Sequence, residues 1–109
     1  MTVTNLNELA KRIHTNAEKH GFWVPDRNFG EMIALAHSEL SEALEEHRSG
    51  NDVVWYGEGG KPEGTAVEII DCIIRCLDML DSLDVDIDAI TEIKMQYNEN
   101  RPYKHGREY

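Results

Sequence analysis

The segment GTAVEIIDCIIRCLDMLDSL, residues 64–83, constrains this chain more than any other. At about 100° per residue, Glu68, Asp71, Arg75, Asp78 and Ser82 fall in one polar strip about 80° wide, and nearly everything else around the helix is apolar. A helix apolar almost all round is a buried one. Its charged strip must then lie against other protein, and buried carboxylates either neutralise or find a cation.

The rest of the chain reads as companions for this helix. In LNELAKRIHTNA the apolar residues Leu6, Leu9, Ala10, Ile13 and Ala17 recur at helical spacing behind an Asn5/Glu8 capping box, and Gly21 closes the segment. FGEMIALAHSELSEALEEHR carries Met32, Ile33, Leu35, Ala36, Leu40, Ala43 and Leu44 on a wide apolar arc that ends at Ser49-Gly50. DIDAITEIKMQYNENR offers Asp84 or Asp86 as N-cap, Ile87, Ile90, Ile93 and Tyr97 as an inward face, and Pro102 as a stop. The spacing predicts helices over residues 4–20, 29–48, 64–83 and 86–101, with a short loop or hairpin at 51–63. An all-α, four-helix bundle-like fold in a single domain spanning 1–109 follows. The third helix has more apolar circumference than three partners readily cover, which predicts a homo-oligomer, a dimer or a tetramer.

Charge narrows the partners. A formal net charge of -10 argues against nucleic acid and against an anionic membrane surface. No apolar run approaches the ~20 residues of a membrane helix, and the opening residues lack the apolar centre of a signal peptide, so a soluble cytoplasmic protein is expected. Cys72 and Cys76 lie four apart, a spacing suited to one helix face and to small buried hydrophobes.

The carboxylates carry the chemistry. Glu39 falls between the wheel positions of Met32 and Leu35, where a leucine is expected, and Glu42 lies at the edge of the same arc. The same three-residue spacing recurs at Glu68 and Asp71. If the two helices face each other, four carboxylates converge and need a cation. All-oxygen ligation favours a hard ion, Mg²⁺ or Mn²⁺, over zinc. A di-iron carboxylate site would require Glu-x-x-His on two helices, and none occurs.

Hard ions held by carboxylates commonly serve phosphates. Lys94, Asn98 and Arg101 share one helix face and are followed by Lys104, His105 and Arg107, so that four of the 11 lysines and arginines fall in the last 16 residues. Lys61, in a glycine-rich stretch without Walker order, is a further phosphate candidate. Both tryptophans, with Phe22 and Tyr56, lie in the two inter-helix loops, where they can stack a base or pack a core.

The stretches RIHTNAEKHGFW, PDRNFGEMIALAHSELSEALEE, GKPEGTAVEIIDCIIRCLDML and KMQYNENRPYKHG together resemble the MazG-like all-α nucleotide pyrophosphohydrolases, in particular small single-domain members. The resemblance implies cleavage of nucleoside triphosphates between the α and β phosphates, giving a monophosphate and pyrophosphate. It implies Mg²⁺ held by Glu39, Glu42, Glu68 and Asp71, phosphate contacts from Lys94, Asn98, Arg101 and Lys104, and base or sugar contacts from His14, Trp23 and Asn28. One departure stands out: many members read Glu-Glu-x-x-Glu on the second helix, and Ser38 occupies the first of those positions here. If that carboxylate binds another metal or acts as base in the relatives, this chain uses fewer ions or recruits Glu45 or Glu46. A phosphoribosyl-ATP pyrophosphohydrolase and a non-catalytic nucleotide- or partner-binding helical module are the alternatives.

Overall fold

The structure, a computed structural model, describes residues 5–24 and 27–102. Four helices form: α1 (Leu6–Lys19), α2 (Phe29–Arg48), α3 (Thr65–Ser82) and α4 (Ile87–Glu99). Strands β1 (Trp55–Tyr56) and β2 (Pro62–Glu63) make a small antiparallel hairpin, with Trp55 opposite Glu63 and Tyr56 opposite Pro62. The all-α four-helix fold expected from the periodicity is the fold observed. Among the described residues no helix is long and apolar enough to cross a membrane.

The ends of the helices are set locally. Asn5, Asn28 and Asp86 each accept a hydrogen bond from a backbone N–H three residues on, which satisfies one orphan donor of α1, α2 and α4. α1 ends where Gly21 adopts φ +79°, allowing Phe22 N–H to reach Ala17 O at 3.0 Å and Gly21 N–H to reach Glu18 O at 3.1 Å. α3 starts differently. Its N-cap is Gly64 at φ +118°, and the Val53 carbonyl accepts from Ala66 N–H at 3.0 Å instead of a side chain. A Cβ on Gly64 would stand 2.4 Å from that carbonyl oxygen, so only glycine fits.

α3 packs along α1 and α2. One core cluster joins Ala10, Leu77 and Ile87 with Leu6, Leu9, Ile13 and Leu80; a second joins Met32, Ala36 and Met79 with Trp23, Cys72 and Cys76. The cysteines are free and half-buried, as small packing residues are. α4 is docked by its first turn. Asn7 Oδ1 accepts from Ile87 N–H at 2.7 Å, while Asp88 Oδ1 accepts from Leu6 N–H at 2.8 Å, so each helix caps the other.

Two expectations about packing require correction. The inward face read on α4 is covered only at Ile87; Ile90, Ile93 and Tyr97 are exposed, because the helix leaves the body of the fold beyond its first turn. Nor is α3 buried all round. Ile69, Ile70, Ile73 and Ile74 are 40–50% exposed, while Leu77, Leu80 and Met79 of the same helix pack into the core.

Candidate metal centre and adjoining groove

The polar strip of α3 meets a different partner at each turn. At its first turn, Glu68 approaches Glu42 and Glu39 of α2, and one carboxylate oxygen from each of the three lies within 4.8 Å of the others. Glu39 is buried, Glu68 half-buried and Glu42 exposed, so the cluster opens to solvent on the Glu42 side. Burial, a hydrogen bond with Glu42, and the charges of Glu42, Asp71 and Glu39 push Glu68 from 4.5 up to about 7. Asp71 stands beside this group rather than within it. Burial first, then the charge of Glu39, raises its pKa, while Arg75 and Lys61 pull the other way.

The donor set is three carboxylates of two helices. Its oxygen-only character suits a hard divalent ion, and a cation there would offset the charge repulsion that adds to burial in raising Glu68. Glu39, Glu42 and Glu68 are the residues that would hold it, with Asp71 adjacent.

Further along the strip, Arg75 Nε donates to Glu39 Oε1 at 2.8 Å. Two turns beyond Asp71, Asp78 accepts from Trp23 Nε1 at 2.9 and 3.0 Å, and from His14 Nδ1 at 2.7 Å. The His14 and Trp23 rings pack with centroids 4.7 Å apart, tilted by 59°. His14 and Trp23 are thus drawn together by Asp78, a residue the sequence marked only as part of the polar strip.

Between α1 and α3 runs an open groove of about 1110 Å³. Ile70, Ile73 and Ile74 form an apolar wall; Arg12, Lys19 and Arg27 give the other side positive charge; Glu39, Asp71 and Arg75 line the end next to the carboxylate cluster. Arg27 also lies over the Phe22 and Trp23 rings at 5.9 and 5.8 Å, and donates from Nη1 to the Phe22 carbonyl.

The remaining sequence candidates have other positions. Lys61 is exposed on the hairpin, near enough to Asp71 to lower its pKa. Asn28 is exposed and acts as the N-cap of α2. Lys94 and Arg101 lie over the Tyr97 ring at 5.1 and 5.4 Å, on α4, which also carries Asn98 and joins the core through Ile87. Lys104, with His105 and Arg107, lies outside the described residues. Ser38 donates to Leu35 O at 2.6 Å on the exposed face of α2, and Glu46 accepts from Trp55 Nε1 at 2.8 Å, which ties the hairpin to α2. Arg75 was legible as the one cation in the strip; Arg12, Lys19 and Arg27 gave no such signal, because nothing in their spacing points to a groove.

Comparison with models of known families, with curated proteins and with solved structures finds no match for this chain.

Proposed function

We propose that this chain is a Mg²⁺-dependent nucleoside triphosphate pyrophosphohydrolase that adds one water across the α–β phosphate bridge, releasing a nucleoside monophosphate and pyrophosphate. The observation that carries the reading is the three-carboxylate cluster on facing helices, adjoining through Glu39 and Asp71 a groove with an apolar wall and a cationic side. Resemblance of the sequence to the MazG-like family adds the cleavage position. Mg²⁺ when bound would supply Lewis-acid charge and a water of lowered pKa. Asp71, on the groove side of the cluster and with a raised pKa, orients the attacking water and takes its proton. Arg12, Lys19 and Arg27 hold the phosphate chain, and the isoleucine wall receives the base, with Asp78, which binds His14 and Trp23, on the same lining.

The same reading makes the working unit a homo-oligomer. The described chain has a radius of gyration of 16.5 Å, against about 13 Å for a compact domain of about this length, and it leaves the apolar side of α4 open.

The test is a Mg²⁺-dependent turnover assay over the common ribo- and deoxyribonucleoside triphosphates, with monophosphate, diphosphate, orthophosphate and pyrophosphate measured separately. Monophosphate with pyrophosphate supports the proposal; diphosphate with orthophosphate overturns it. A non-catalytic nucleotide-binding module draws support from Ser38 and from the Arg75–Glu39 pair, which neutralises the buried carboxylate without metal. Saturable nucleotide binding with no product would establish that reading instead.

A further inference from the structure

Glu39 belongs to two arrangements at once. One of its carboxylate oxygens lies within 4.8 Å of oxygens from Glu42 and Glu68, and Oε1 accepts from Arg75 Nε at 2.8 Å. The glutamate side chain is 11% exposed, the arginine side chain 35%. The arginine therefore has a way out and the glutamate does not. A guanidinium and a divalent ion on the same buried carboxylate repel each other, and the guanidinium cannot relieve the conflict by losing its proton. That repulsion favours the departure of the cation with the easier route to solvent.

We propose that Arg75 is the resident counter-ion of the carboxylate cluster, which leaves Glu39 when a divalent ion binds and turns into the groove as a contact for the anionic part of the substrate. The inference rests on the metal-dependent hydrolase reading. Arg75 already lines the groove, one helical turn beyond Asp71, so a side-chain rotation is all that the exchange demands. It accounts for the otherwise odd choice of a cation on a helix strip of carboxylates. Without Arg75 the metal-free cluster would hold a buried, unpaired charge; with it, metal loading and exposure of an anion-binding group become one event. Arg75 is here a positioning residue until substrate arrives.

The exchange is read directly by nuclear magnetic resonance on the intact ¹⁵N-labelled protein titrated with Mg²⁺, the Arg75 Nε–H signal being assigned by its loss in Arg75→Lys. That signal is expected to shift and to lose protection from solvent exchange over the same Mg²⁺ range that shifts the Glu42 and Glu68 amides. In parallel, Mn²⁺ binding followed by electron paramagnetic resonance is expected to tighten about tenfold in Arg75→Gln, the scale of one charge-assisted hydrogen bond. Shifting amides beside a static Nε–H signal, or Mn²⁺ affinity unchanged or weaker in Arg75→Gln, would overturn the exchange and leave the metal site standing. No response of amides or of Mn²⁺ in either protein would remove the metal reading and this proposal with it.

Discussion

On one side of α3, Glu68, Asp71, Arg75 and Asp78 lie half-buried against α1 and α2; on the other, Ile69, Ile70, Ile73 and Ile74 are 40–50% exposed. A surface helix concerned only with its own stability is arranged the other way, with isoleucines inward and charges in water. The inversion separates two requirements. The charged side accepts a cost in burial and in electrostatic repulsion, visible in Glu68 raised to about 7, in exchange for carboxylates fixed on rigid elements. The apolar side is partly the wall of the groove and partly exposed surface, which the proposed oligomer would cover.

The sharpest way to break that comparison is to neutralise the charged side. Glu68→Gln keeps the hydrogen bond to Glu42 and removes one of the repelling charges. Divalent affinity is expected to fall about 100-fold or more, at least the loss caused by disturbing a ligand's supporting partner. Metal-free stability at pH 8 is expected to rise at the same time. Isothermal titration and a melting curve measure the two; a variant that loses stability along with metal affinity would make the strip structural rather than functional.

On the apolar side, Ile69→Glu and Ile93→Glu change residues that are already exposed and do not line the groove. In an isolated monomer each should alter stability by no more than about 0.5 kcal/mol. If the face is an assembly surface, light scattering will show the wild-type oligomer dissociating. A wild-type mass equal to that of one chain would leave the isoleucines to the groove alone.

The two regions that hold charge also respond oppositely to pH. Glu68 has a folded-state pKa above its unfolded one, so its contribution is fully present below 4.5 and is lost as pH rises through about 7. Asp86, at the exposed α1–α4 junction, is lowered, chiefly by its hydrogen bond from Asn7 and then by that from Ala89 N–H. Its contribution is present above its unfolded pKa and is lost as pH falls through the folded value. Metal-free melting temperature should therefore decline from about pH 5 to pH 8 in the wild type, and flatten in Glu68→Gln. Divalent affinity should climb over the same interval, since the ion binds the deprotonated carboxylate.

How much of this was legible depended on whether one helix or two carried the information. The helices, their caps at Asn5 and Asp86, and the polar strip are properties of single segments, and periodicity found them. The convergence of Glu39, Glu42 and Glu68 was also foreseeable, because a buried strip must face something. What escaped was relational. The inward face assigned to α4 was sound as a pattern, yet the reciprocal caps between Asn7, Ile87 and Asp88 dock only the first turn and let the rest leave the core. The basic residues of the C-terminal segment are visible as one cluster in the sequence, whereas Arg12, Lys19 and Arg27 come together at the groove only in the folded chain. Surface lysines and arginines on an amphipathic helix look alike until a neighbouring helix turns some of them toward a cleft.

The most local effect concerns Asn28, a sequence candidate for base or sugar contact that serves here as a helix cap. Its side chain accepts from Glu31 N–H at 3.1 Å and is exposed. Asn28→Ala should cost about 1 kcal/mol, the usual loss of an N-cap, and Asn28→Ser or Asn28→Asp should restore most of it. Turnover separates the roles. A cap acts through the position of α2, so the serine and aspartate variants should recover activity along with stability. A base contact depends on the amide's paired donor and acceptor, which neither hydroxyl nor carboxylate reproduces. If both variants melt like the wild type and still show a raised KM, Asn28 touches the substrate, and the region of contact extends past the groove to the start of the helix that carries Glu39 and Glu42.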